Sequence, residues 1–261
     1  MIEPCRRIRA DILRVAHRSG HGHVPTCFSV VEALYAVYAA IRHDPSNPDW
    51  PERDLFVLSK GHASLALYCT LAAYGYFDVA EVEGFGAYES RFGCHPDRLK
   101  VPGIEASTGS LGHGIGLAAG MALALKIEGS PRRVVTLVGD GEANEGTVWE
   151  ALMVAADQRL GNLAVLYDHN RSQRRCLQIE NPAERLEAFG CAVTEVDGHD
   201  VAALEAALAE ATGERPRAIV AHTVKGHGCA TLVEDMFAWH RRSPDAPTLA
   251  ALMEELHADA V

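Results

Sequence analysis

Basic charge is what this 261-residue sequence is short of: 24 lysines and arginines face 35 aspartates and glutamates, a formal net charge of −11. Surfaces that hold nucleic acid or anionic membranes neutralise phosphate with clustered cations, so neither is expected as a partner. No apolar run approaches the ~18 residues of a membrane span, and the opening MIEPCRRIRADI lacks the apolar stretch of a signal peptide. These absences point to a cytoplasmic protein that handles small molecules. The seven cysteines (Cys5, Cys27, Cys69, Cys94, Cys176, Cys191, Cys229) are scattered, odd in number and never spaced C-x-x-C. That argues against a disulfide framework and a zinc knuckle and leaves reduced thiols in or near the core. Repeats, low-complexity tracts and an obvious linker are missing too. Residues 1–261, 48% hydrophobic, are therefore expected to fold as one domain around a real core.

The rhythm of apolar residues supplies the organisation. Ile8, Ile12 and Val15 recur at helical spacing, and SVVEALYAVYAA (Ser29 to Ala40) reads as a second, largely buried helix, with HRSGHGHVPT (His17 to Thr26) a loop between them. After Pro45, Pro48 and Pro51, DLFVLS (Asp54 to Ser59) reads as a short buried strand running into KGH, and LALYCTLAAYGYF as a helix. Between Gly84 and Ser110 no periodicity is sustained, which is long for a passive connection and suggests function. GIGLAAGMALALK (Gly114 to Lys126) is a small-residue helix. Strand and helix then alternate: VVTLV (Val134 to Val138), a helix over Thr147 to Asp157, LAVLYD (Leu163 to Asp168), AVTEVDGHD, a helix over Val201 to Ala211, and RAIVAHTV (Arg217 to Val224). Such alternation implies an α/β fold, a parallel sheet with helices on both faces, with ligands beyond the carboxyl ends of the strands.

Two of those ends carry chemistry. VGDGEANEG (Val138 to Gly146) and LYDHNRSQ (Leu166 to Gln173) should lie side by side. Glycines around Asp140 let backbone N–H groups approach a phosphate, while Asp140 and Asn170 offer hard oxygen ligands suited to Mg²⁺ or Ca²⁺. GDG alone is equally a tight turn; its pairing with Asn170 favours a ligand site.

That pair, at that separation, resembles the thiamine-diphosphate fingerprint that opens with GDG and closes with Asn. DLFVLSKGHASLALY, CHPD…PGIEASTGSLGHGIGLAAGMALALK, GDGEANEGTVWEAL, LGNLAVLYDHN, FGCAVTEVDGHD and TVKGHG…WH narrow the resemblance to the N-terminal, diphosphate-binding half of transketolase. A full-length transketolase is far longer, so the chain looks like the N-terminal subunit of a split enzyme. The resemblance implies thiamine diphosphate and a divalent metal held by Asp140, Asn170 and the Ser172 carbonyl. It implies diphosphate contacts from His62, Gly109, Ser110, Leu111, Gly141 and His240. His95 and His240 fall on motifs whose histidines handle substrate hydroxyls, as does one histidine of the first loop, where His23 fits the spacing to the next helix better than His21. A zinc site on His21 and His23 has no nearby third ligand. Glu145 matches a glutamate at the subunit contact behind the cofactor, and its plain alternative is a carboxylate stabilised at a helix N-terminus. Glu142 matches split-chain relatives, near the cofactor or as a structural residue. His17, His43 and His257 are expected on solvated faces, His113 and His227 near the cofactor without a chemical role.

The glutamate that holds the cofactor's aminopyrimidine in the family, and the arginines that grip a sugar phosphate, belong to the other half. The resemblance thus implies an obligate partner, a C-terminal transketolase subunit carrying the pyrimidine domain, two of each chain, acting on small sugar substrates. Departures gather near the expected site: RSQRRC (Arg171 to Cys176) keeps little beyond Gln173, Arg174 replaces an aliphatic residue, and Arg241 follows His240 where glycine is usual. Arg174 or Arg241 could meet an anionic acceptor. Three readings stay open: two-carbon ketol transfer from a ketose to an aldehyde, a specialised synthase with an unusual acceptor, and a cofactor-binding regulatory subunit without turnover.

Overall fold

The computed structural model describes residues 1–258 apart from Cys176 and Thr212. Along the chain run helices α1 (Glu3–Ser19), α2 (Val24–Ser29) and α3 (Val31–Ala40), strand β1 (Leu55–Leu58), and helices α4 (Ser64–Ala73), α5 (Val79–Val82) and α6 (His113–Ile127). They are followed by β2 (Val134–Gly139), α7 (Gly146–Asp157), β3 (Leu163–His169), α8 (Pro182–Ala188), β4 (Ala192–Asp197), α9 (Val201–Ala209), β5 (Arg217–His222), α10 (Ala230–Glu234) and α11 (Ala246–Ala258). The five strands form one parallel sheet in the order β1-β2-β3-β5-β4. β2 and β3 are neighbours as expected, with Gly139 level with Asp168, so their last residues open onto one crevice.

Side chains alternate across each strand and divide the core in two. Phe56, Leu58, Val135, Leu137, Leu166 and Ile219 face a layer containing residues of α1–α4, α9 and α11. Leu55, Val57, Val134, Val138, Val165 and Val220 face α6, α7 and α8. The parallel sheet is thus covered on both faces, and its carboxyl edge is where a ligand can reach backbone.

Helix boundaries differ from the sequence expectation: α4 stops at Ala73 and α9 at Ala209, and the largest difference follows the first loop. Val24 to Ser29 is a short helix rather than loop and helix start, and the break falls at Val30, with φ −115° and ψ 6°. Pro25 in the first turn favours initiation there, and the Ser29 hydroxyl lies 2.9 Å from both the Thr26 carbonyl and Asp168 Oδ2. The thiol expectation also needs one correction: Cys5, Cys27, Cys69, Cys191 and Cys229 are buried, but Cys94 is exposed, in the irregular Gly84–Ser110 stretch. Cys176 lies outside the described residues. No helix among the described residues is long and apolar enough to cross a membrane.

Candidate active site

At the carboxyl ends of β2 and β3 the chain encloses a cavity of about 480 Å³, lined by Lys60, His62, Gly109, Leu111, Gly141, Asn170, Ser172, Lys225 and His240 among others. Its floor is a buried polar knot around Asp168. Lys60 pairs with Asp168 and the Thr223 hydroxyl donates to it, while Asn170 Nδ2 donates from 2.8 Å. Burial alone would raise the Asp168 carboxyl, but the Lys60 ammonium together with the Thr223 and Ser29 hydroxyls outweighs it and holds the carboxyl below its usual range. Asn170 also donates to Ser29 Oγ at 3.1 Å, which fixes its amide so that Oδ1 accepts the Ser172 N–H at 3.0 Å.

Asp140 is different. Its Oδ1 accepts from the Gly141 N–H at 2.6 Å and the Ser172 hydroxyl at 2.7 Å, but its buried Oδ2 has no partner. Burial pushes this carboxyl up, opposed by the Ser172 bond and reinforced by the neighbouring Asp168. A desolvated carboxylate with an orphan oxygen, beside an oriented Asn, is a set of hard oxygen donors of the kind that suits a small cation. Glu142 shapes the turn instead: its carboxylate accepts from Ser59 Oγ at 2.6 Å and from the backbone N–H of Gly112 at 2.8 Å and Gly139 at 3.1 Å. It ties the GDG turn to the turn over Gly109–Leu111.

Three histidines close the mouth. The rings of His23 and His62 lie 5.6 Å apart, His23 and His240 5.2 Å, and His62 and His240 6.2 Å. Burial, followed by neighbouring cations and imidazoles, pushes all three down, His240 to about 4. They are therefore neutral near pH 7, each with one N–H donor and one acceptor nitrogen. His23 is delivered by strain: it sits at φ 51°, between Gly22 and the start of α2. Such a left-handed conformation costs a non-glycine residue about 1 kcal/mol or more. Gly22 is favoured there by its φ of 149° and because a Cβ would crowd Leu65 Cδ2 at 2.9 Å and Ala16 Cβ at 3.2 Å. His21 turns away, its ring packed at a tilt on Phe85 at 4.9 Å with Nδ1 3.8 Å from Cys94 Sγ. His95 is exposed at the rim, its ring packed where a Gly109 Cβ would be.

Three polar cavity residues escaped the sequence reading. Lys60 precedes His62 in KGH; Lys225 lies in TVKGHG, its Nζ 3.3 Å from His240 Nδ1 and its pKa brought down to about 8 by burial and by Lys60. Thr26 Oγ1 is buried without a partner beside them. Both lysines lie in stretches that carry the resemblance, and a cation in a motif shared with glycines was the available signal.

Several remaining expectations change. His257 is exposed, but His17 is half-buried with Nδ1 2.8 Å from the Pro244 carbonyl, and His43 stacks on Tyr76 at 5.8 Å, so neither lies on a solvated face. His113 is exposed at the start of α6, and His227 stacks on His199 rather than lining the cavity. Ser110 is exposed and does not line it either. Arg174 is exposed in a separate crevice with Glu180, Glu184 and Glu195, away from the cavity, which removes its part in the anionic-acceptor expectation. Arg241 is also exposed, yet its charge acts on both His23 and His240. Glu145 is exposed at the N-cap of α7 and makes no side-chain capping bond.

Comparison with known proteins agrees with this geometry. Residues 1–240 match the family model of the transketolase thiamine diphosphate binding domain. The chain is 38% identical over 257 residues to a 6-deoxy-6-sulfo-D-fructose transketolase subunit of a Clostridium species, covering 95% of this chain and 93% of that one. It is 35% identical over 255 residues to one of the apulose-4-phosphate transketolase subunits of Actinobacillus succinogenes, covering 95% and 92%. Among solved structures, transketolase from Leishmania mexicana superposes with a TM-score of 0.87 at 28% identity, over 98% of this chain and 41% of that one. The family match, the fold and the matches to split subunits over more than nine-tenths of their length make this chain a member of the transketolase family, the N-terminal, thiamine-diphosphate-binding subunit of a split transketolase.

Proposed function

We propose that this chain, as one domain, binds the diphosphate end of thiamine diphosphate with Mg²⁺ and, joined to a C-terminal subunit carrying the pyrimidine domain, transfers a two-carbon ketol unit from a ketose to an aldehyde. The observation that carries the reading is the orphan Oδ2 of the buried Asp140, beside Asn170 and Ser172 at the foot of a cavity rich in donors. Asp140, Asn170 Oδ1 and the Ser172 carbonyl would hold the metal. Lys60, Lys225, His62, the backbone around Gly109 to Leu111 and Gly141 would take the diphosphate, the kind of donor set that suits an anion in a partly buried cleft. When bound, thiamine diphosphate supplies the thiazolium carbon on which the ketol unit is carried.

This chain's own part is to position hydroxyls and move protons. Neutral His23 offers an acceptor nitrogen and an N–H to the sugar, His240, whose Nδ1 faces the Lys225 ammonium, offers its Nε2–H to a sugar oxygen, and His95 stands at the rim for the far end of the sugar. Arg241, exposed beside His240, favours an acceptor or donor carrying negative charge. The sugar named for each of these two bacterial relatives bears a sulfo or phosphate group. A stoichiometry of two chains of each kind draws support from an apolar, small-residue face. Leu117 on α6 and Met153 and Val154 on α7 are 45%, 59% and 51% exposed, and Gly116 and Gly120 present open backbone between them. Glu145 stands at one end of this face, suited to couple two sites through a subunit contact.

Reconstitution tests the reading. The chain is mixed with a candidate pyrimidine-domain subunit, thiamine diphosphate and Mg²⁺, and ketose cleavage is followed with phosphorylated and unphosphorylated donors. Cleavage that requires both chains and both cofactors is the expected result. Cofactor binding without cleavage of any ketose would favour a regulatory subunit instead.

A further inference from the structure

A second polar cluster lies outside the cavity and joins α1, α3 and the loops after β4 and β5. Arg9, without exposed surface, forks onto the buried Glu32 carboxylate (Nη1–Oε1 2.5 Å, Nη2–Oε2 2.7 Å) and donates to the carbonyls of Phe28 at 2.7 Å and His227 at 3.0 Å. Glu32 Oε2 also lies 3.0 Å from His199 Nδ1, and His199 Nε2 lies 2.8 Å from the Val224 nitrogen. Because Nε2 accepts a backbone N–H, the imidazole proton belongs on Nδ1, directed at Glu32. Burial would raise the Glu32 carboxyl, but Arg9 and His199 outweigh it and bring it down to about 2. Glu32, His199 and His227 offer ligand atoms within 4.8 Å of one another, a spacing a metal ion could use. Both His199 nitrogens and both Glu32 oxygens are already committed to hydrogen bonds, however, so the cluster works as a relay and not as a metal site.

The relay ends on the strap 223–229. Thr223 donates to Asp168 at the cavity floor, Lys225 enters the cavity, and the Gly226 N–H bonds the Pro25 carbonyl at 3.1 Å at the start of α2. The strap can fold back this tightly because Gly226 and Gly228 adopt φ 91° and 94°. A Cβ on Gly226 would stand 2.8 Å from Leu232 Cβ. The His199 ring also stacks on His227 of the same strap at 3.7 Å.

We propose that His199 is a positioning residue: by bridging Glu32 and the Val224 amide it holds the strap in the one conformation that presents Lys225 to the diphosphate cavity. A lysine with 4% of its surface exposed stays desolvated only while its backbone is clamped. His199 is the clamp from the β4 side, and Arg9, through the His227 carbonyl, the clamp from α1. This rests on the reading of the cavity given above as the diphosphate site.

Two variants of the full-length chain test it. His199→Phe keeps a ring for the His227 stack and removes both hydrogen bonds, whereas His199→Gln retains one donor and one acceptor. For His199→Phe, amide hydrogen exchange in 223–229 is expected to speed about tenfold or more while β2 and β3 keep their protection. Thiamine diphosphate affinity in Mg²⁺, measured calorimetrically on the complex with the pyrimidine-domain subunit, is expected to fall about tenfold. His199→Gln is expected to restore most of both. Unchanged strap exchange, exchange that rises equally across the whole sheet, or a loosened strap with unchanged affinity would each overturn the proposal. Wild-type complex that fails to bind thiamine diphosphate at all would sink the cofactor reading alone, and the exchange comparison would still decide whether His199 clamps the strap.

Discussion

Two aspartates at opposite ends of the sheet are both buried, yet they live in opposite electrostatic states. Asp54, at the amino end of β1, accepts from the backbone N–H groups of Arg42 at 3.0 Å and Arg133 at 2.8 Å and from the Arg42 guanidinium at 2.9 Å. Burial would raise its carboxyl, but those bonds hold it below its usual range. Asp140, at the carboxyl end of β2, keeps an orphan oxygen and a raised carboxyl. Asp54 is fully bonded within the chain, whereas Asp140 is not. The same contrast extends to neighbours: Arg53 and Glu105 form a two-bonded pair at the amino end, while Lys225 has been driven down to about 8 in the cavity. A buried carboxylate left with an orphan oxygen beside a cavity, against a fully bonded one at the other end, marks the cavity edge as functional.

The largest effects come from exchanging the two fates. Asp54→Ala strands two backbone N–H groups and the Arg42 guanidinium and should cost about 3 kcal/mol or more, read as a lower midpoint in urea, with cofactor affinity of the folded fraction unchanged. Asp140→Asn should do the reverse. It removes a desolvated carboxylate facing Asp168, so the cofactor-free chain should melt at the same temperature or ~2 °C higher, while Mg²⁺-dependent thiamine diphosphate binding drops by more than about a hundredfold. If Asp140→Asn destabilises the cofactor-free chain as much as Asp54→Ala does, the contrast between the two ends is wrong.

Substitution at the mouth comes next in size. His23→Ala should lower turnover of the reconstituted pair by about 10² or more, and His21→Ala by less than about threefold, because His21 packs on Phe85 and Cys94 instead of joining the cluster. Equal losses from both substitutions would mean that the loop rearranges when the partner binds. Smaller still is the gain from completing the unfinished end. Thiamine diphosphate with Mg²⁺, at about a hundred times its dissociation constant, should stabilise the wild-type complex by about 2.7 kcal/mol. Chelating the metal with EDTA should abolish the shift, and Asp140→Asn should show none.

Much of this site is legible in the sequence because its parts are local. GDG carries both the glycines a phosphate needs and the carboxylate a metal needs, and Asn170 falls at the end of the next strand, so two adjacent strand ends suffice. Lys60, Lys225 and Thr26 are not legible in that way. Their value depends on three separate loops meeting over β2 and β3, and on β5 inserting between β3 and β4, a strand order that alternation alone does not specify. His17 and His43 mislead for the same reason, since their partners Pro244 and Tyr76 lie 227 and 33 residues away. The GHGH stretch is the instructive case. Gly22 and His23 differ from Gly20 and His21 by two positions, and the approach of Leu65 and the strained φ of His23 separate the ring that packs on His62 and His240 from the ring that does not.

The smallest expected effect is on pH dependence, and it separates the mouth from the metal end. His240 is held down to about 4 against an ordinary 6.5, and His23 and His62 are lowered as well. Between those limits the unfolded chain binds protons that the folded chain does not, so stability falls as pH drops from about 6.5 toward 4. Asp140 works the other way: its raised carboxyl takes a proton earlier in the folded chain, which favours folding as acid is added. The two contributions separate by subtraction. In urea denaturation of the cofactor-free chain across this window, His240→Gln should flatten the acid-side loss relative to wild type, by about 1 kcal/mol once the half-exposed ring is discounted for solvent. Asp140→Asn should steepen it. A His240→Gln curve that parallels wild type from pH 6.5 to 4 would mean that the imidazole is already protonated in the folded chain, and that the mouth offers the substrate a cation where the geometry puts a neutral base.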